Sequence, residues 1–341
     1  MLLEQRRHRP LLHLHHALLV SNGASAVAIP RRPALSPWCR LVRDGDRYLV
    51  ELGGTVVTFE GRAAGVFLPR LLPLLDGTRT IDELIDELGT PVAPAIEHAV
   101  SLLNENRLLV DGPHDTDAAN GTVAAAAAYA VAVTTVTSEE AAARALSAAQ
   151  VTIMGSGHGT APLADQLGAM GIGRVERVGF GTEPAPSALV VAMPASDELP
   201  CLSDLNAFGL RSGSPWMQVL PFDGRLVVAG PLFLPGSSAC HACYVLRRGA
   251  CSGFEDDFDL VRGLPSTATT PAPLLSLVTG LAAIMALRWI TASDPILPGR
   301  FYALESRSIL RLTHNHVLRV PRCRACGVPE GAVPSPWFDA A

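Results

Sequence analysis

Four of the seven cysteines stand in two short pairs, Cys240-His241-Ala242-Cys243 and Cys323-Arg324-Ala325-Cys326-Gly327. Two C-x-x-C units offer four soft thiolates, the ligand set of a closed tetrahedral structural zinc. Each turn lets both of its sulfurs face one ion, and Gly327 relaxes the backbone after the second pair. The expectation is that Cys240, Cys243, Cys323 and Cys326 hold one structural zinc that joins distant chain segments. A redox pair and unligated buried thiols are the competing readings, and two pairs are far more specific than one. Cys39, Cys201 and Cys251 form no pair, and Cys251 is the rival ligand among them. His8, His13, His15 and His16 read as part of a solvated leader, and His314 with His316 as alternation on a strand.

Composition narrows the function classes. A chain of 341 residues with 48% hydrophobic and 17% charged residues can bury more than one core. A formal charge of −5 invites neither nucleic acid nor an anionic membrane. All 27 basic residues are arginine, which excludes any catalytic or phosphate-binding lysine. Cysteines in C-x-x-C pairs without an export signal point to a reducing cytoplasm. The apolar run Leu274–Leu287 follows Pro271 and Pro273 and reads as a buried helix too short to span a bilayer.

The elements that position these residues fall into three stretches. Residues 1–33 read as a flexible N-terminal segment. Residues 38–59 read as a β-meander, with a turn at Asp44-Gly45-Asp46, another at Gly53-Gly54, and a β-branched third strand, Thr55–Phe59. Three helical stretches follow: Gly61–Leu75, one opened by a capping box at Thr80 and Glu83 and ended by Gly89, and Pro94–Asn106. Leu108-Leu109-Val110 reads as a short closing strand. Three strands and then three helices, with the phrases Leu75-Asp76-Gly77-Thr78-Arg79-Thr80-Ile81 and Leu102–Leu109, resemble the PqqD-like RiPP recognition element over residues 34–113. That resemblance implies a winged-helix relative that captures the leader of a ribosomal precursor peptide as an added strand. Carried onto this chain, it places the peptide groove at Val56, Val57, Thr58 and Phe59, with Ile96, Ala99, Val100 and Leu103 on the third helix. The same apolar side chains serve equally as the core of a small domain.

A winged helix can instead bind DNA. Residues 34–113 hold seven arginines against twelve acids, and the third helix carries Glu97 and Glu105 with no arginine before Arg107. Such a face cannot neutralise phosphates, so no nucleic-acid partner is expected.

Residues 114–341 read as one further α/β unit. After two alanine-rich helical stretches, the strand Val151–Met154 runs into Gly155-Ser156-Gly157-His158-Gly159-Thr160 and a helix, the opening of a Rossmann-like unit. Strands are expected at Val175–Val178, Ala188–Met193, Trp216–Leu220 and Leu226–Ala229, with a late hairpin at Phe301–Glu305 and Arg307–Leu312. With the two cysteine pairs, this order resembles the ThiF/E1-like superfamily, whose active members adenylate a carboxyl terminus with ATP. The resemblance aligns Gly179 and Gly181 with that family's paired aspartates, puts Thr160 where its glycine motif ends in Gly, and requires a lysine that this chain lacks. An Mg–ATP site needs charges to offset the triphosphate, so ATP is not expected as a cofactor.

Together, residues 34–328 resemble the Ocin-ThiF-like partner proteins of thiazole/oxazole (TOMM, thiopeptide) cyclodehydratases. The resemblance implies a non-catalytic, cytoplasmic adaptor. It would bind a precursor leader and present the core peptide to a separate YcaO cyclodehydratase, with homodimerisation possible and no membrane partner. Tethering would raise the local concentration of core peptide at that enzyme. The alternatives are a divergent ThiF-like adenylyltransferase acting on a peptide, with Glu176 or Asp197 replacing the missing aspartates, and a zinc-containing DNA-binding regulator.

Overall fold

The computed structural model describes residues 28–45, 47–114, 121–262, 264–266, 268–307 and 309–327. The histidine-bearing part of the N-terminal segment, His8 to His16, lies outside the described residues. The described residues form a mixed α/β structure with three sheets.

The first sheet is the expected meander: β2 (Arg40–Asp44), β3 (Arg47–Leu52) and β4 (Thr55–Phe59) pair antiparallel in that order. Gly53 and Gly54 both take positive φ, 54° and 90°, which a two-residue hairpin turn of matching twist requires. Beneath it lie α1 (Arg62–Leu71), α2 (Ile81–Leu88) and α3 (Ala93–Glu105). The α2 start is the capping box read from the sequence: Thr80 N–H donates to Glu83 at 2.7 Å, and Glu83 N–H donates back to Thr80 Oγ1 at 3.3 Å. Val50, Val57, Leu68, Leu71, Leu84, Ile96, Val100 and Leu103 fill the core between sheet and helices.

The closing strand does not join the meander. β5 (Leu109–Asp111) pairs antiparallel with β1 (Pro33–Leu35), which begins at the last residue of the stretch expected to be irregular. Gly77 is held against this ribbon: a Cβ there would lie 2.2 Å from the Gly112 carbonyl group. Only glycine allows that approach.

The large sheet has seven strands in the order β12-β11-β10-β9-β8-β6-β7. Its parallel half is β7 (Arg174–Val178), β6 (Gln150–Met154), β8 (Leu189–Ala192) and β9 (Trp216–Leu220). Its antiparallel half adds β10 (Leu226–Phe233), β11 (Arg300–Glu305) and β12 (Arg311–His316). On one face pack α4 (Gly121–Val133), α5 (Glu139–Ala148), α6 (Thr160–Ala169) and α10 (Ala272–Ala292), sharing a core with Val151, Ile153, Leu189, Val191, Met217 and Val219. On the other lie α7 (Leu202–Ser212) and α8 (His241–Ala250), over Val190, Trp216, Leu220, Val228 and Phe233. The sheet thus presents alternate residues of each strand to two cores, which is why its central strands read as continuous apolar runs. A five-residue helix, α9 (Phe258–Arg262), lies in the crossing loop.

Two expectations need correcting. α10 has 21 residues, long and apolar enough to cross a membrane by that measure. One side of it, including Val278, Ala282, Met285 and Ala286, is instead buried in the core. The last strand begins at Arg311, later than the expected Arg307, so His314 and His316 lie within it and both are exposed.

Candidate functional site

The two cysteine pairs meet. The Cys240 and Cys243 sulfurs are 3.9 Å apart, Cys240 and Cys323 3.8 Å, Cys243 and Cys326 3.5 Å. All four lie within 4.8 Å of one another. A tetrahedral ion with Zn–S bonds of about 2.3 Å sets its sulfurs about 3.8 Å apart. The donor set therefore fits zinc, and all four cysteines are free of disulfides. Cys251, the rival ligand, is exposed and stands outside the cluster.

Local structure explains the cluster. Cys240 is the N-cap of α8 and Cys243 lies in its first turn. The second pair sits in a tight turn: Cys323 N–H donates to Val320 O at 3.0 Å and Gly327 N–H to Cys323 O at 2.7 Å. A Cβ on Gly327 would lie 2.4 Å from that carbonyl oxygen. Val320 N–H donates to Cys243 Sγ at 3.3 Å, the kind of outer contact that orients a metal ligand. Two arginines lace the turns together. Arg247 donates to the carbonyls of Leu318 (2.6 Å) and Arg319 (3.1 Å), and Arg319 donates to those of Gly236 (2.9 Å) and Cys326 (2.6 Å).

Burial pushes the Cys240 and Cys326 thiols up. At Cys323 burial acts in the same sense, but the N–H groups of Cys326 and Ala325 and the neighbouring thiols outweigh it and bring the group down to about 7. A bound cation supplies the positive charge that lets such crowded thiols ionise together. His241, inside the first pair, is not a ligand. It is buried among Trp216, Phe233 and Tyr244, and burial lowers its pKa to about 4.

The second candidate site is the edge of the small sheet. β4 pairs with β3 alone, so its other side carries unpaired main-chain groups among the described residues. The register decides which. Leu52 and Thr55 flank the two-residue turn and exchange hydrogen bonds, so Val50 with Val57 and Tyr48 with Phe59 do likewise. The amides of Val56 and Thr58 therefore point to the free edge. Val56 is 49% exposed and Thr58 is also exposed.

The other residues expected in the groove lie inside the unit, as the competing core reading has them. Val57, Ile96, Ala99, Val100 and Leu103 are all buried in the core of this unit. A side chain covered by its own domain has no surface to offer a ligand. Phe59 is half-buried at the end of β4. Of the eight groove residues, Val56, Thr58 and Phe59 remain accessible.

The third site is the glycine loop between β6 and α6. Its first three amides are taken by the protein itself. Gly155 N–H donates to Val178 O at 2.9 Å and Gly157 N–H to Met193 O at 3.0 Å. Ser156 N–H donates to Glu198 Oε2 at 2.8 Å, an oxygen that also accepts from Ala195 N–H at 2.8 Å. Glycine is required because a Cβ at Gly155 or Gly157 would lie 2.5 or 2.6 Å from the Met193 oxygen. Beside the loop, at the carboxyl ends of β6, β8 and β9, is a cavity of about 400 Å³ lined in part by His158, Met193, Asp197, Leu220 and Thr270. Gly179 and Gly181, on the loop after β7, have nothing within 4 Å of an added Cβ. Of the two acids weighed as substitutes, Asp197 reaches the cavity, whereas Glu176 pairs with Arg174 at 3.6 Å along β7.

No family model and no curated protein matches the chain. Solved structures do. A heterocyclase in complex with substrate and cofactor superposes with TM-score 0.65 and 22% identity, over 86% of this chain and 39% of that one. The heterocyclase TruD gives 0.65 and 20% over 87% and 43%. E. coli MccB with AMPCPP and MccA gives 0.63 and 16% over 86% and 99%. The chain has the α/β fold that these proteins share. It spans less than half the length of the two heterocyclases and nearly all of MccB.

Two functional features escaped sequence reasoning. Glu198 lies 42 residues beyond the loop it contacts, and no local pattern announces that. The inward face of α3 was legible as apolar from its 3.6-residue period, but periodicity does not say what covers a face. The parity of β4 could have been counted from the Gly53-Gly54 turn, because a two-residue hairpin fixes its register.

Proposed function

We propose that this chain is a non-catalytic adaptor of ribosomal-peptide modification. It binds the leader of a precursor peptide along β4 and presents the core peptide to a separate YcaO cyclodehydratase, which forms azolines in the core. The observation that carries this reading is the unpaired β4 edge, with the Val56 and Thr58 amides outward and neither charge nor proline in the strand. Proteins normally blunt such an edge, and a partner strand is the simplest cover. The glycine loop supports it from the other side, since its Ser156 amide already meets the Glu198 carboxylate. The four-cysteine cluster then has a structural role, stapling α8 to the segment after β12 as a zinc site. The shared fold accords with this, since one neighbour is a heterocyclase with substrate and another is MccB with MccA.

The test is fluorescence polarisation of a labelled precursor peptide against the full chain, followed by azoline formation by the YcaO partner with and without it. Saturable binding and partner activity that depends on the chain support the reading. Absence of both sinks it. Adenylation of a peptide is the competing activity, favoured by the cavity beside the glycine loop with Asp197 in its wall and by the AMPCPP in the MccB structure. Isothermal titration with Mg–ATP separates the two, since the adaptor has no saturable nucleotide site.

A further inference from the structure

His114 lies at the seam between the small unit and the large one, and each of its ring nitrogens faces an acceptor. Nδ1 is 2.6 Å from Glu139 Oε1, at the first turn of α5, and Nε2 is 2.5 Å from the backbone oxygen of Leu35 in β1. A carbonyl oxygen has no proton to give, and neither has an ionised carboxylate. A neutral imidazole has one N–H and can serve one of these acceptors only. Both contacts are hydrogen bonds when the pair holds one proton more than neutral histidine and ionised glutamate. Imidazole is ordinarily the more basic of the two groups, so the extra proton belongs on the ring.

We propose that His114 is a proton-held latch, an imidazolium that fixes the β1–β5 ribbon of the small unit to α5 of the large one and lets go as pH rises. Little else bridges this point. Asp111 N–H donates to Thr137 O at 3.1 Å, beside a β-bridge between Asp111 and Ser138. The other charged groups nearby are already engaged. The Asp111 carboxylate accepts from Arg32 N–H at 2.7 Å, and Glu140 pairs with Arg144 at 2.6 Å. Glu139 is the charged group that acts on the ring. Its hydrogen bond raises the histidine above its ordinary value against the opposing effect of burial, and the Leu35 carbonyl adds to the rise. A raised folded-state pKa contributes stability that is full below the unfolded value, about 6.5, and lost as pH climbs through the folded value. The seam should therefore be tightest below about pH 6.5 and loosen as pH rises through the raised folded value.

The experiment uses the full chain labelled with ¹⁵N-histidine, with His114→Gln identifying the resonances. The apparent pKa of His114 should lie above the ordinary value of about 6.5, with both ring nitrogens protonated below it. Glu139→Gln should remove most of that rise. Exchange protection of the Asp111 amide, corrected for intrinsic rate, should fall as pH rises through the His114 pKa in the wild type and stay level in His114→Gln. A ring that titrates at or below about 6.5 overturns the latch, as does an equal alkaline loss of protection in the two proteins.

Discussion

Replacing Thr58 by proline tests the peptide edge most directly. The turn at Gly53-Gly54 and the register of β3 with β4 put the Thr58 amide on the free side of the strand. A leader paired there would exchange main-chain bonds with Val56 and Thr58, each worth a net ~1 kcal/mol. Proline deletes one of these donors and sets its ring in the path of the incoming strand. The bond alone predicts about a fivefold loss of affinity at 1.4 kcal/mol per decade, and the steric clash adds to it. The fold tolerates the change because proline is accepted on an edge strand whose N–H faces solvent. Val57→Pro is the informative contrast: its N–H belongs to the ladder with Val50 and its side chain is 5% exposed, so that variant should unfold the hairpin. Thr58→Val keeps the amide and the β-branched shape and should bind as the wild type does. The assay is fluorescence polarisation with a labelled precursor, run beside thermal melts of each variant. A folded Thr58→Pro that binds within twofold of wild type refutes the edge assignment.

Metal analysis of purified protein should find one zinc per chain, and Cys243→Ser should lose it and expose the segment after β12 to protease; zinc-free protein with four intact thiols would contradict the staple. Cys251→Ser should leave zinc content and melting temperature unchanged, because that thiol is exposed and outside the cluster. Gly327→Ala should destabilise the second cysteine turn by about 1–3 kcal/mol, the cost of forcing a Cβ toward the Cys323 carbonyl 2.4 Å away, read as a lower melting temperature and faster zinc loss to chelator. Wild-type protein should show no pyrophosphate exchange into ATP with or without precursor peptide, and robust peptide-dependent exchange would replace the adaptor with an adenylating enzyme.

What the sequence determined by itself is local. The spacing within each cysteine pair, the Thr80–Glu83 capping box, the Gly53-Gly54 turn and the apolar strands Trp216–Leu220 and Val151–Met154 depend on neighbours a few residues away, and each has its expected form. Capping, turn geometry and strand burial are short-range physics, so residue type and spacing suffice. The helix α7 went unanticipated, because an apolar period broken by Asn206 and Gly209 is weak; packing against α8 and Trp216 supplies what propensity does not.

Only the tertiary structure decided the rest. That Cys240 and Cys323 lie 3.8 Å apart depends on β11 and β12 returning the chain to α8. That Val100 and Leu103 are core, while Val56 is accessible, depends on which surface the sheet lays over α3. That the Ser156 amide meets Glu198, and His114 meets Glu139, depends on backbone paths far apart in sequence. A residue type states which bonds a group can make. Its partner is set by chain topology, because buried donors and acceptors must be satisfied by whatever the fold brings within reach.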